Sequence, residues 1–178
     1  MRVRALLGVG VICALQASAP ARADSLTITA SGTIQPSCSV AVQAAFQSAD
    51  FTASGSSTAQ ALVNCNGGFR INVTSANGAA KTTNQASSGF TNALSYTLGL
   101  SVPLDDSSTA SAICTSASLV AGQSTCALSP GNATGLSSGG KTAMGKVATL
   151  TASWVLPAQK LVAGSYSDTL TVSIASVP

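Results

Sequence analysis

Apolar and polar side chains alternate with a period of two along several short runs of this chain, and helical spacing is scarce. In residues 26–34 one side carries Leu26, Ile28, Ala30, Gly32 and Ile34, and the other carries small hydroxyls. A strand imposes that period, because successive side chains point to opposite faces. Residues 39–46 predict the first strand of a body. Residues 51–58 read as a Ser/Gly-rich turn region, and residues 59–65 and 69–74 as two strands. Phe69, Ile71 and Val73 face one way, and Arg70, Asn72 and Thr74 the other. Asn66-Gly67-Gly68 between them predicts a hairpin, since φ > 0 costs these residues little.

Residues 76–90 are small and polar and read as a loop. Residues 92–104 predict a strand with Leu94, Tyr96, Leu98 and Leu100 on one face. A turn follows at Asp105-Asp106, then a low-complexity stretch. Residues 146–156 place Ala148, Leu150, Ala152, Trp154 and Leu156 on one side, and Pro157 ends the run. Residues 166–174 place Tyr166, Asp168, Leu170, Val172 and Ile174 on one face against Ser167, Thr169, Thr171 and Ser173. Seven or eight short strands separated by turn signals predict an all-β sandwich in one domain, with no linker and no internal repeat.

The start of the chain changes the picture. Arg2 and Arg4, an apolar run over residues 5–15 and the small-x-small box Ala21-Arg22-Ala23 read as a secretory signal over residues 1–23, cleaved after Ala23. The apolar run is shorter than the roughly 20 residues a spanning helix needs. Ile12 before Cys13 departs from a lipoprotein box. Three of the eight basic residues belong to this segment, leaving five against five acids, so the formal charge of +3 is the signal's. No basic stripe remains to attract phosphates, so nucleic-acid binding is not expected.

Cleavage leaves Cys38, Cys65, Cys114 and Cys126, an even number in an exported protein, which implies two disulfides. Of three possible pairings, Cys38–Cys65 would tie the strand after the arm to the next core strand. Cys114–Cys126 would close a short loop around residues 121–124. With no CxxC spacing and no histidine, a zinc site is not expected. The chain has neither His nor Glu, so acid–base chemistry would fall to five Asp, the Lys and Arg residues and two Tyr. An enzyme is therefore not expected, nor a cofactor. Asp168, alternating with apolar neighbours, reads as a hydrogen-bonded structural residue. Gly139-Gly140-Lys141-Thr142 lacks the spacing and the helix of a phosphate loop.

Residues 26–34 follow the cleavage box and stop before Pro36, so they would form a free, extended arm with one apolar face. Such an arm can complete a neighbour's sheet. The alternative is that it forms the first strand of its own sheet. With Pro178 four residues past the last predicted strand, no later segment is expected to close that edge.

The closing run Gly164-Ser165-Tyr166-Ser167-Asp168-Thr169-Leu170-Thr171-Val172 resembles the G-x-Y-x-D-x-L-x-V motif of the spore coat protein U domain, a family that includes subunits of archaic chaperone–usher pili. Cys38-Ser39-Val40, Val63-Asn64-Cys65 and Leu94-Ser95-Tyr96 extend the resemblance over most of the mature chain, while residues 107–140 depart from it. The resemblance implies an incomplete immunoglobulin-like β-sandwich lacking its last strand, completed by donor-strand complementation. The donor would be Leu26, Ile28, Ala30, Gly32 and Ile34, and the acceptor edge Tyr166, Asp168, Leu170, Val172 and Ile174. It also implies a periplasmic chaperone, an outer-membrane usher and identical or related pilin subunits as partners. The product would be a cell-surface fibre, secreted via the periplasm, that supports adhesion or biofilm formation. The competing expectation is an adhesin or carbohydrate-binding sandwich module. Such a module displays aromatics for stacking, and the seven aromatics here fall mostly on core-facing positions.

Overall fold

A computed structural model describes residues 29–132 and 135–177. The chain divides after Thr33, and Ile34–Pro178 is one unit. Its strands are β1 (Cys38–Ala44), β2 (Gly55–Cys65), β3 (Phe69–Ser75), β4 (Ala80–Lys81), β5 (Phe90–Thr91), β6 (Ala93–Leu94), β7 (Tyr96–Pro103), β8 (Thr109–Thr115), β9 (Leu136–Ser137), β10 (Ala143–Trp154), β11 (Lys160–Leu161) and β12 (Leu170–Ser176). One turn of 3₁₀ helix, Ser116–Leu119, follows β8.

Two sheets make an all-β sandwich. The larger runs β1-β2-β10-β7-β8 and the smaller β12-β3-β9, with every pairing in them antiparallel. In chain order β1, β2, β3, β7, β10 and β12 take the A, B, C, D, E and F places of an immunoglobulin constant-type sandwich, whose sheets are ABED and CFG, and β8 is an added edge strand outside β7. Among the described residues nothing takes the seventh place, beside the free edge of β12.

The alternation read from the sequence matches burial closely where one face meets the core. Phe69, Ile71 and Val73 are at most 1% exposed, and Leu98, Leu100, Val102, Ala148, Leu150 and Trp154 are buried opposite them. A strand half-buried in this way has its register fixed by its apolar face, because a slip of one residue would turn every core side chain to water.

Several expectations are corrected. Asn66-Gly67-Gly68 is not a hairpin, for β2 pairs with β1 and β10 while β3 pairs with β12 and β9. The three residues form a corner between sheets, and none has a positive φ. Gly68 is needed for space: a Cβ there would lie 2.9 Å from the Gly140 backbone. The segment 51–58 is not all turn, since β2 already begins at Gly55 and pairs with β10 down to Trp154. The strand expected over 92–104 is broken at Ser95, and its first piece, β6, pairs with β4. Residues 107–140 hold the edge strand β8, paired along its length with β7. The last strand begins at Leu170 rather than Tyr166, because Ser167 is bridged to Lys81 and Asp168 is held by side-chain bonds.

Both expected disulfides, Cys38–Cys65 and Cys114–Cys126, are present. No described helix is long and apolar enough to cross a membrane. The segment read as a secretory signal, with Ala21 and Ala23, and the expected arm residues Leu26 and Ile28 lie outside the described residues.

Candidate functional site: an apolar groove between two strand edges

β1 and β12 border each other, one from each sheet, yet no ladder joins them. Among the described residues the β1 ladder is with β2 and the β12 ladder with β3, which leaves the other backbone edge of each strand without a ladder partner along a shared cleft. The cleft is a groove of about 990 Å³. Val40, Val42, Ala44 and Phe46 form one lip, and Tyr166, Asp168, Leu170 and Val172 form the other. Ala59, Ala61, Leu150, Ala152 and Trp154 lie between them.

Core exposure follows from the place beside β12 that no described strand fills. The inward side chains of β12 (Leu170, Val172 and Ile174) are only half-buried, whereas their ladder partners in β3 (Ser75, Val73 and Ile71) are fully buried. On β1, Val42 is 79% exposed. An uncovered pair of edges over open apolar core is a docking surface for an extended chain and an aggregation hazard without one.

The two ends of the groove differ. At one end Cys38 faces Cys65 across their disulfide, and Ser176 pairs with Phe69. The other end is closed by aromatic side chains: Phe51 meets Trp154 edge-on at 5.0 Å between ring centres and Tyr166 at 6.1 Å. Trp154 Nε1 donates to Ala53 O at 3.0 Å, and the Tyr166 hydroxyl donates to Val162 O at 2.8 Å, which fixes both rings.

Beside the aromatics lies a polar hub. Asp168 Oδ2 accepts from the Tyr96 hydroxyl at 2.5 Å and from Ser75 Oγ at 2.6 Å. Its Oδ1 accepts from the backbone N–H groups of Asn77 at 3.1 Å and Thr169 at 2.8 Å. Ser75 is buried, and its Oγ accepts from Gly78 N at 2.7 Å. Burial first, then the bond to Asp168 and its negative charge, push the Tyr96 phenol well above its ordinary value. The hub joins β7 of one sheet to β3 and the approach to β12 of the other, and so holds the sheets together where no strand bridges them. This is the structural role expected of Asp168. Tyr96 as its partner was not legible, because that residue sits in an otherwise apolar face.

Of the acceptor residues expected from the sequence, Tyr166, Asp168, Leu170 and Val172 line the groove, while Ile174 packs on the core beyond it. Of the donor residues, Ala30, Gly32 and Ile34 are described. Residues 29–34 form no strand and are exposed, Ile34 at 86%. The lip on β1 and the aromatic end were not identified from the sequence. Their signal was present in Val40, Val42, Ala44 and Phe46, which alternate through the predicted first strand.

Asp105 and Asp106 occupy the turn predicted for them, at the β7–β8 end of the larger sheet. Asp105 accepts from Thr142 Oγ1 at 2.6 Å and pairs with Lys146 at 3.2 Å. Asp106 pairs with Lys141 at 2.6 Å and accepts from Ser108. The Thr142 hydroxyl, for Asp105, and Lys141, for Asp106, hold these carboxyls below their usual range. Among the described residues no group of His, Cys, Asp or Glu is arranged to hold a metal.

No protein-family model, curated protein or solved structure matches this chain.

Proposed function

We propose that this protein is a structural subunit of a secreted surface fibre, assembled when the N-terminal arm of one copy fills the groove of the next. The observation that carries this reading is the groove itself, an apolar cleft flanked on both sides by unpaired strand edges. An extended chain entering it bonds to both edges and covers half-buried Leu170 and Val172. The matching segment is in the same polypeptide: residues 26–34 alternate with the required period and span about 30 Å when extended. Burying Leu26, Ile28 and Ile34 adds about 2 kcal/mol each. Ladder bonds along both edges add about 0.5–1.5 kcal/mol each.

The disulfides and the predicted export signal fit a fibre built outside the cytoplasm. In this reading a periplasmic chaperone covers the groove before assembly and an outer-membrane usher hands subunits on, as the resemblance to spore coat protein U domains implies. A sugar-binding module is less well supported. Its rings would present open faces, whereas Trp154 is buried and packed edge-on against Phe51.

The test adds a synthetic peptide of residues 24–36 to the exported chain and, in parallel, deletes residues 24–35. The peptide raises the melting temperature and blocks polymer formation, followed by light scattering and electron microscopy. The deletion abolishes polymer while leaving peptide uptake intact. A chain that stays monomeric when concentrated, with melting unmoved by the peptide, refutes the reading.

A further inference from the structure

We infer that Asn66 is a positioning residue that keeps each subunit's arm out of its own groove, so that the groove stays open to a sibling. The inference rests on the fibre reading and adds a device that selects between copies. β1 does not stop sharply at Cys38. Asn66 N donates to Ser37 O at 3.1 Å, Asn66 Oδ1 accepts from Ser37 N at 2.7 Å, and Asn66 Nδ2 donates to Gln35 O at 3.1 Å. A Cβ on Gly67 would lie 3.7 Å from Pro36 Cβ. The register that pairs Cys38 with Cys65 therefore continues through 37–66 and 36–67. The side chain of Asn66 takes the place of the missing backbone rungs. Residues 35–37 are held in line with β1.

Those residues are the ones a self-inserting arm has to bend. A three-residue loop of Gln35, Pro36 and Ser37 would fold the arm back beside β1 with Ile34 opposite Cys38. Gly32 would then face Val40, Ala30 Val42, Ile28 Ala44 and Leu26 Phe46. Every apolar arm position would fall on the groove side, since cross-strand partners share a face. Three-residue loops are a common hairpin connection. The sequence thus encodes a competing, self-closed monomer.

The clasp removes it. With residues 35–37 held straight, the reversal moves to residues 32–34, and Leu26 reaches only Val40. Asp24 then lies opposite Val42, and the end of the groove at Phe46, Phe51 and Trp154 stays unfilled. An arm from another copy has no such tether and can cover the full length.

The experiment uses the exported chain and fluorescent peptide 24–36. Two hydrogen bonds to an exposed segment shift such an equilibrium by about tenfold. Asn66→Ala lowers peptide uptake and polymer yield by about that factor, with a matching rise in closed monomer. Asn66→Asp, which keeps the acceptor for Ser37 N and loses the donor to Gln35 O, falls between. Adding Ile28→Asp, which spoils the arm for insertion, returns peptide uptake of the Asn66→Ala chain to the wild-type level. Uptake and polymer yield in Asn66→Ala equal to wild type overturn the inference. So does a double variant that stays refractory, because Asn66 would then serve folding alone. If the wild-type chain takes neither peptide nor siblings, the fibre reading itself falls.

Discussion

If the groove accepts a donated strand as proposed, Val172→Asp separates the fold of the body from its assembly. Val172 lies in β12 opposite fully buried Val73, is half-buried, and faces the groove. In the free body an introduced carboxylate tilts to water through the open cleft. The cost is the partial burial of one valine, about 1 kcal/mol. Under a donated strand the same group is sealed in, and the charged residues lining the groove are Asp50 and Asp168, with no lysine or arginine among them. An unpaired buried charge costs several kcal/mol, and the lost valine contact adds about 1 kcal/mol. A total of about 5 kcal/mol corresponds to a weakening of roughly 10³–10⁴-fold. Circular dichroism melts should show a body close to wild type. Fluorescence anisotropy with peptide 24–36 and light scattering of the full chain should show binding and polymer lost together. Val172→Thr, similar in shape and uncharged, should retain most of both. Polymer formation by Val172→Asp within tenfold of wild type would refute the claim that β12 is a lip of the acceptor site.

Asp168→Ala leaves the Tyr96 hydroxyl and buried Ser75 Oγ without their acceptor and should cost about 3 kcal/mol in urea unfolding. Tyr96 has a phenol pKa raised on folding, so its stabilising contribution is complete below its unfolded value, near 10, and is lost as pH rises above that. Alkaline unfolding should therefore begin earlier in wild type than in Tyr96→Phe, compared at equal starting stability. Cys114→Ser opens a link of sequence separation 12 and should lower stability by about 3 kcal/mol, read from thermal melts with and without reductant.

What was legible in the sequence followed from how strongly a segment's burial was one-sided. β3 and β10 alternate apolar with polar residues, and the faces read from that alternation are the buried ones, although the strands they pair with were not legible. β8 was missed because its residues are small or polar apart from Ile113, and that isoleucine is 76% exposed, so no apolar face marks the strand. Asn-Gly-Gly misled for a different reason. The residues suit a tight turn locally, but the Cys38–Cys65 link and the close pass of Gly140 send β3 into the other sheet. The groove-lining side chains of the β12 segment were legible because their alternation runs without a break through residues 166–174. The opposite lip and the Tyr96–Asp168 pair required distant segments to meet, at separations that no local pattern encodes.

Trp154 gives this molecule an internal gauge. It is the chain's sole tryptophan, and its indole sits at the aromatic end of the groove, anchored to Ala53 and within reach of whatever enters. Its emission colour depends on how wet that corner is, so an unlabelled solution signals whether its clefts are vacant or filled. If copies exchange strands as proposed, the kinetics of that exchange can be followed on the native protein, with no dye attached.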